Sequence, residues 1–226
     1  MSGFEQIESR VGEYFDDRLT QHGATAEGAA WATTESQSLR FNKLLGVIEE
    51  SEGEFFTIND YGCGYGALAD HLSAAGLNFH YSGYDISPAM ARTARERLDD
   101  HGFHIVSSHT ELTEADYTVA SGVFNLKLEA AGSDWECLLL DTLDRMAELS
   151  RRAFGFNCLE RPVDAASRRS ELYYADPHAV FEHCRSRFSQ RVAVLADYNL
   201  PEFTVCLLYT SPSPRDLSTP RMPSSA

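Results

Sequence analysis

The chain has 226 residues, 43% of them hydrophobic, which suits one domain with a full-sized core. A formal net charge of −15 argues against nucleic acid or an anionic membrane as partner, since either asks for a basic stripe. Five cysteines, at 63, 137, 158, 184 and 206, show neither metal-ligand spacing nor a disulfide framework, so a reducing cytoplasm is the expected compartment and no metal is expected.

No apolar run reaches transmembrane length, and the polar start MSGFEQIESR does not read as a signal peptide. Phe4, Ile7, Val11, Tyr14, Phe15 and Leu19 fall at helical spacing, and Gly23-Ala24-Thr25 interrupts it. A second helix is predicted from about Glu35 to Ile48, capped by Thr33 or Thr34.

The next run carries chemical meaning: Phe56-Thr57-Ile58-Asn59-Asp60-Tyr61-Gly62-Cys63-Gly64-Tyr65-Gly66. It reads as a strand, an acid, and three glycines at alternate positions before a helix. Such a turn lets backbone approach a ligand where any Cβ would clash. Gly62 to Ala67 also satisfies the relaxed dinucleotide pattern G-x-G-x-x-G/A, so a nicotinamide-dependent oxidoreductase is an alternative. Asp60 disfavours it. A carboxylate there repels pyrophosphate but suits the ammonium and sulfonium of S-adenosylmethionine.

A second strand over 79–86 delivers Asp85 about twenty residues beyond the loop, the distance at which a βαβ unit brings a carboxylate to ribose hydroxyls. Both cofactor classes use such an acid. Ser87-Pro88 supplies an N-cap and N1 proline for a helix over 89–99. Strands are predicted at 103–107, 117–121 and 153–158, with an amphipathic helix from Trp135 to Leu149 capped by Asp134. Pro177 opens a helix to about Phe188, and a hairpin joins 192–195 to 203–205. The alternation predicts a parallel α/β sheet closed by one antiparallel strand.

Segment 56–126 resembles the class I S-adenosylmethionine-dependent methyltransferases, with DYGCGYG as first motif and GYDISPAM as second. The resemblance extends to DYTVASGVFNLK (116–127) and YYADPHAVFEHC (173–184), and covers nearly all of 5–205. It implies a doubly wound, seven-stranded Rossmann-like sheet with a C-terminal antiparallel strand, binding S-adenosylmethionine and transferring its methyl to a small-molecule acceptor. By the same resemblance, Asp60, Gly62, Cys63, Gly64 and Gly66 would hold the methionine half, Asp85 the ribose and Ile86 the adenine. Ser121, with Gly122, Phe124 and Asn125, would face the methionine group and the substrate. Arg40 would take the cofactor carboxylate by a charge-assisted pair.

Ser108, His109 and Glu111 follow the third strand, where adenine is read, without a register that selects one. Candidate catalytic residues are His178, Tyr173 and Asn125, with Tyr174 and Asp176 beside the first two. A methyltransferase fold without turnover, serving as a binding or scaffold subunit, is the third reading. The expected organisation is a helical lid over 1–50, a cofactor-binding core over 51–205, and a non-native tail over 206–226. That tail, in Cys206–Asp216 and again in Arg221–Ala226, resembles an in-frame translation of a sequencing-library adapter.

Overall fold

Aromatic and β-branched residues in Phe55–Tyr61 bury both faces of the central strand, β1, as a strand covered by helices on either side requires. The computed structural model describes residues 3–49, 53–162 and 164–209. Two helices precede β1: α1 (Gly3–His22) and α2 (Thr34–Leu44). After it come α3 (Ala67–Ala74), β2 (Asn78–Tyr84), α4 (Pro88–Leu98), β3 (His104–Val106), β4 (Ala115–Ala120), α5 (Gly132–Glu148), β5 (Ser150–Leu159), α6 (Pro177–Arg187), β6 (Arg191–Leu195) and β7 (Glu202–Leu208).

The sheet has seven strands in the order β3-β2-β1-β4-β5-β7-β6. Strands β1 to β5 pair in parallel, and β7 pairs antiparallel with both β5 and β6. Strand order reverses between β1 and β4, so the turns leaving their carboxyl ends open the crevice in which doubly wound sheets bind ligands.

Local caps follow the sequence. Thr33 forms a reciprocal capping box with Ser36 at the start of α2. Ser87 caps α4 ahead of Pro88, and Asp176 caps α6 ahead of Pro177. The expected cap at Asp134 is corrected: α5 begins at Gly132, Ala131 offers no side-chain cap, and Asp134 lies in the first turn, where its charge still favours the helix dipole.

The region expected as a lid divides in two. Phe41 and Leu44 of α2, with Val47 beyond its end, are buried, and Phe41 and Val47 join the core on one face of the sheet, whereas α1 and the segment 23–32 add no residue to that core. At the other end, the fold does not stop at Val205. Cys206, Leu207 and Leu208 continue the ladders to β5 and β6, and Tyr209 donates its N–H to the Arg152 carbonyl at 2.7 Å. Residues 210–226 of the adapter-like segment lie outside the described residues. Among the described residues, no helix is long and apolar enough to cross a membrane.

Candidate active site

The glycine loop is built by left-handed backbone: Gly62, Gly64 and Gly66 have φ of +86°, +55° and +87°. The N–H groups of Gly62 and Cys63 both donate to the Tyr84 carbonyl, at 2.7 and 2.9 Å, which fastens the loop to the end of β2. The glycines divide the work. A Cβ on Gly62 would lie 2.4 Å from Val123 Cγ2, and one on Gly66 2.6 Å from Leu98 Cδ1. A Cβ on Gly64 would meet nothing within 4 Å, so this glycine faces open space in the cavity that it lines.

Two carboxylates flank the loop. Asp85 follows β2; its Oδ2 accepts from Gly64 N–H at 2.7 Å and its Oδ1 from Ser87 N–H at 2.8 Å. Burial pushes its pKa up to about 6 against the help of those two bonds. Asp60 sits near the end of β1, accepts from the Tyr81 hydroxyl at 2.7 Å, and is pushed up to about 7, again mainly by burial. Both are therefore poised to ionise near neutrality.

A cavity of about 360 Å³ opens over these groups, within the usual range for small-molecule sites. Asp60, Gly62, Cys63, Gly64, Asp85, Ile86, Ser121 and Arg40 all line it. Gly66 does not; it packs against α4. Cys63 is buried and its thiol is held up by desolvation, so it serves as wall and not as nucleophile. Ser121 presents a buried Oγ without a hydrogen-bond partner among the described residues.

Arg40, expected to take the cofactor carboxylate, already has partners within the fold. Its Nε is held by Glu202 at 2.8 to 2.9 Å, its Nη1 donates to the Ser36 carbonyl at 2.8 Å, and the guanidinium lies 4.3 Å from the Trp31 ring centroid. A nearly buried guanidinium needs a counter-charge, and the last strand supplies it. Nη2 alone has no partner among the described residues.

Of the candidate catalytic residues, only Asn125 reaches the cavity. Its Oδ1 accepts from Leu159 N–H at 3.1 Å, so Nδ2 is the donor not spent on the fold. Tyr173 and Tyr174 lie outside the cavity wall, and His178 is exposed on α6, where Asp176 accepts from its backbone N–H. After β3, His109 is half-buried against the rings of Tyr61 and Tyr84, at 6.4 and 5.7 Å, while Glu111 is exposed.

Sequence reasoning missed several wall residues. Glu8 enters from α1, its carboxyl pKa raised by burial, and Trp135, Leu138 and Leu139 enter from α5. On the sequence those α5 residues read as the core face of an amphipathic helix. Asp16 was also missed: it accepts from Ser87 Oγ and from Ala89 N–H, so α1 is fastened to the start of α4 beside Asp85. Only the cap half of that link has a local signature.

A sequence profile described as "Methyltransferase domain" matches residues 58–126. The Mycobacterium tuberculosis protein "Putative methyltransferase Rv1506c" is 47% identical over 152 residues, covering 66% of this chain and 91% of that protein. The chain belongs to the class I S-adenosylmethionine-dependent methyltransferases. The fold of this methyltransferase is shared by magnesium protoporphyrin IX methyltransferase of Synechocystis PCC 6803 with bound S-adenosylhomocysteine, at a TM-score of 0.62 and 13% identity, over 90% of this chain and all of that one. Human N-acetylserotonin methyltransferase in complex with its methyl donor aligns at a TM-score of 0.56 and 14% identity, over 89% of this chain and 58% of that one.

The methyltransferase cavity is chemically matched to S-adenosylmethionine. It presents the carboxylates of Asp60 and Asp85, a Ser121 hydroxyl without a partner among the described residues, and an open backbone face at Gly64.

Proposed function

We propose that this cavity binds S-adenosylmethionine and transfers its methyl to a small molecule, in a reducing compartment that keeps the five cysteines free. The observation that carries the reading is the open face of Gly64, whose N–H is held by the half-buried Asp85, in a cavity that the buried Asp60 also lines. Gly62, Cys63 and Gly64 supply the close backbone wall of the methionine half, and Asp60 in its ionised form offsets the positive charge there. Asp85 retains lone pairs for ribose hydroxyls after accepting from Gly64 and Ser87. Ile86 gives the base an apolar surface. Ser121 Oγ and Arg40 Nη2 are the hydrogen-bonding groups left for the amino-acid end.

When bound, S-adenosylmethionine supplies an activated methyl: an acceptor lone pair bonds to it as the carbon–sulfur bond breaks, the electron pair stays on sulfur, and the acceptor's proton leaves to solvent. The chain's contribution is alignment and exclusion of water, which account for much of the barrier reduction in such transfers. Among the described residues the cavity wall holds no histidine or lysine, and its carboxylates are Glu8, Asp60 and Asp85; none is assigned as a general base.

The test is to incubate the full chain with isotopically labelled methyl donor and a chemically diverse small-molecule library, following S-adenosylhomocysteine release and label transfer. Acceptor-dependent release supports the reading. Donor binding without turnover on any acceptor, and label found only on added protein or nucleic acid, both count against it.

A further inference from the structure

We propose that the acceptor is a ring-bearing, apolar molecule, seated between the two tryptophans of the chain and the turn after β4. The inference rests on the methyltransferase reading of the same cavity and goes beyond it in naming the acceptor's chemistry. Both tryptophans, Trp31 and Trp135, line the cavity, although they are 104 positions apart in sequence, one between α1 and α2 and the other on α5.

Each aromatic wall is fixed in advance. Trp135 is buried and donates from Nε1 to the Phe124 carbonyl at 3.0 Å. Phe124 is in turn buried edge-to-face against Phe156, with centroids 5.5 Å apart. Trp31 is presented by Ala30, a non-glycine residue in the left-handed region at φ +61°. Such a conformation is unfavourable for an L-residue and persists where surrounding structure demands it. The Trp31 ring edge then lies over Gly122, itself at φ +77°, where a Cβ would come within 2.4 Å of Cη2. Arg40 covers the indole from another side.

Tyr14, Leu126 and Leu172 also line the cavity and add largely apolar surface to it. Away from Asp60 and Asp85 its charged side chains are three. Arg40 is paired with Glu202, Arg169 is engaged by Glu171 at 2.6 Å, and Glu8 lies at the α1–α5 margin with a carboxyl that burial already disfavours as an anion. A sugar or a nucleotide would leave most of its polar groups unpaired against this wall, which is expensive. Preformed aromatic faces instead favour flat, apolar rings, which gain stacking and edge contacts beyond simple burial.

The experiment uses the full chain saturated with S-adenosylhomocysteine, whose uptake is first measured by calorimetry. Three probes are then titrated in: 2-naphthol, n-octanol and methyl glucoside. We expect 2-naphthol to bind one per chain and at least tenfold more tightly than octanol, with no binding of the glucoside. Leu172→Arg, or the milder Leu172→Ser, should weaken 2-naphthol at least tenfold and fivefold respectively while S-adenosylhomocysteine binding is retained. Octanol equal to 2-naphthol, glucoside tighter than either, or a Leu172 variant that leaves 2-naphthol affinity unchanged would overturn the proposal while leaving the methyltransferase reading intact. A chain that takes up no S-adenosylhomocysteine would bring down both.

Discussion

Arg40 on α2 and Glu202 on β7 form a buried ion pair, with Nε 2.8 Å from one carboxylate oxygen and 2.9 Å from the other. The residues are only 7% and 1% exposed, so neither can exchange its partner for bulk water. The pair joins the second helix to the last strand. Burial raises the Glu202 carboxyl pKa and the arginine opposes that shift.

Removing one partner strands the other. Arg40→Ala should therefore lower stability by about 3–5 kcal/mol, the usual cost of leaving a buried charge unpaired. Urea unfolding checks it, and a loss below about 1 kcal/mol would mean the pair is not maintained in solution. Joint replacement by Met at 40 and Leu at 202 should recover most of the loss. Donor affinity in that double variant then reports on Arg40 Nη2 without the stability effect.

The second prediction concerns the end of β7. A chain cut after Val205 loses Cys206, Leu207 and Tyr209, all buried, together with their ladder bonds. Burial of one large apolar side chain contributes about 1.5–3 kcal/mol, so the loss should be at least about 3 kcal/mol relative to a chain cut after Tyr209. Equal melting temperatures for the two would contradict the extended strand.

These two relationships mark where the sequence stopped being informative. The glycine loop, Asp85 and the Ser87-Pro88 cap were legible because each is a short-range pattern whose geometry is set by its own backbone. The Arg40–Glu202 pair was not, because a helix arginine shows no mark of a partner 162 residues away. Likewise, Trp135 and Leu139 have the same amphipathic spacing whether they face a core or a cavity. The register after β3 stayed open because that strand is only three residues long. The end of β7 was misread because an adapter-like composition says nothing of whether Leu207 completes a ladder.

Donor binding should depend on pH through Asp60 and Asp85, held up at about 7 and about 6 by burial. Their unfolded values lie near 3.9, so the folded chain binds more protons between roughly pH 4 and 7 and these groups make the free protein less stable as pH rises through that window. A cationic donor prefers the ionised forms, so the sign for binding is opposite. Affinity for S-adenosylmethionine should rise with pH and level off above about 7, and should be at least about tenfold weaker at pH 5.5 than at pH 8. Calorimetry in buffers of different ionisation enthalpy should show proton release near pH 6. A flat profile would mean that Asp60 does not meet the cation and that Asp85 does not hold the ribose in its ionised form.

The α1 wall depends on Asp16, which accepts from Ser87 Oγ and Ala89 N–H. Asp16→Ala should cost about 1 kcal/mol of stability and weaken the donor's hold. In the parent chain, S-adenosylhomocysteine should protect α1 amides from hydrogen exchange, and that protection should fall in the variant. Unchanged exchange across α1 on ligand addition would show that the helix takes no part in closure.

Calorimetric titration of the full chain with S-adenosylmethionine, S-adenosylhomocysteine and NAD, repeated on Gly64→Val, tests the central claim most directly. A Cβ at Gly64 meets no protein atom within 4 Å, so valine there meets the ligand and not the fold, apart from the strain of its left-handed backbone. The account predicts one site for each of the two adenosyl ligands, no binding of NAD, and loss of the adenosyl ligands in a Gly64→Val chain that remains folded. Binding of NAD in place of the adenosyl ligands, or undiminished binding by folded Gly64→Val, would contradict it.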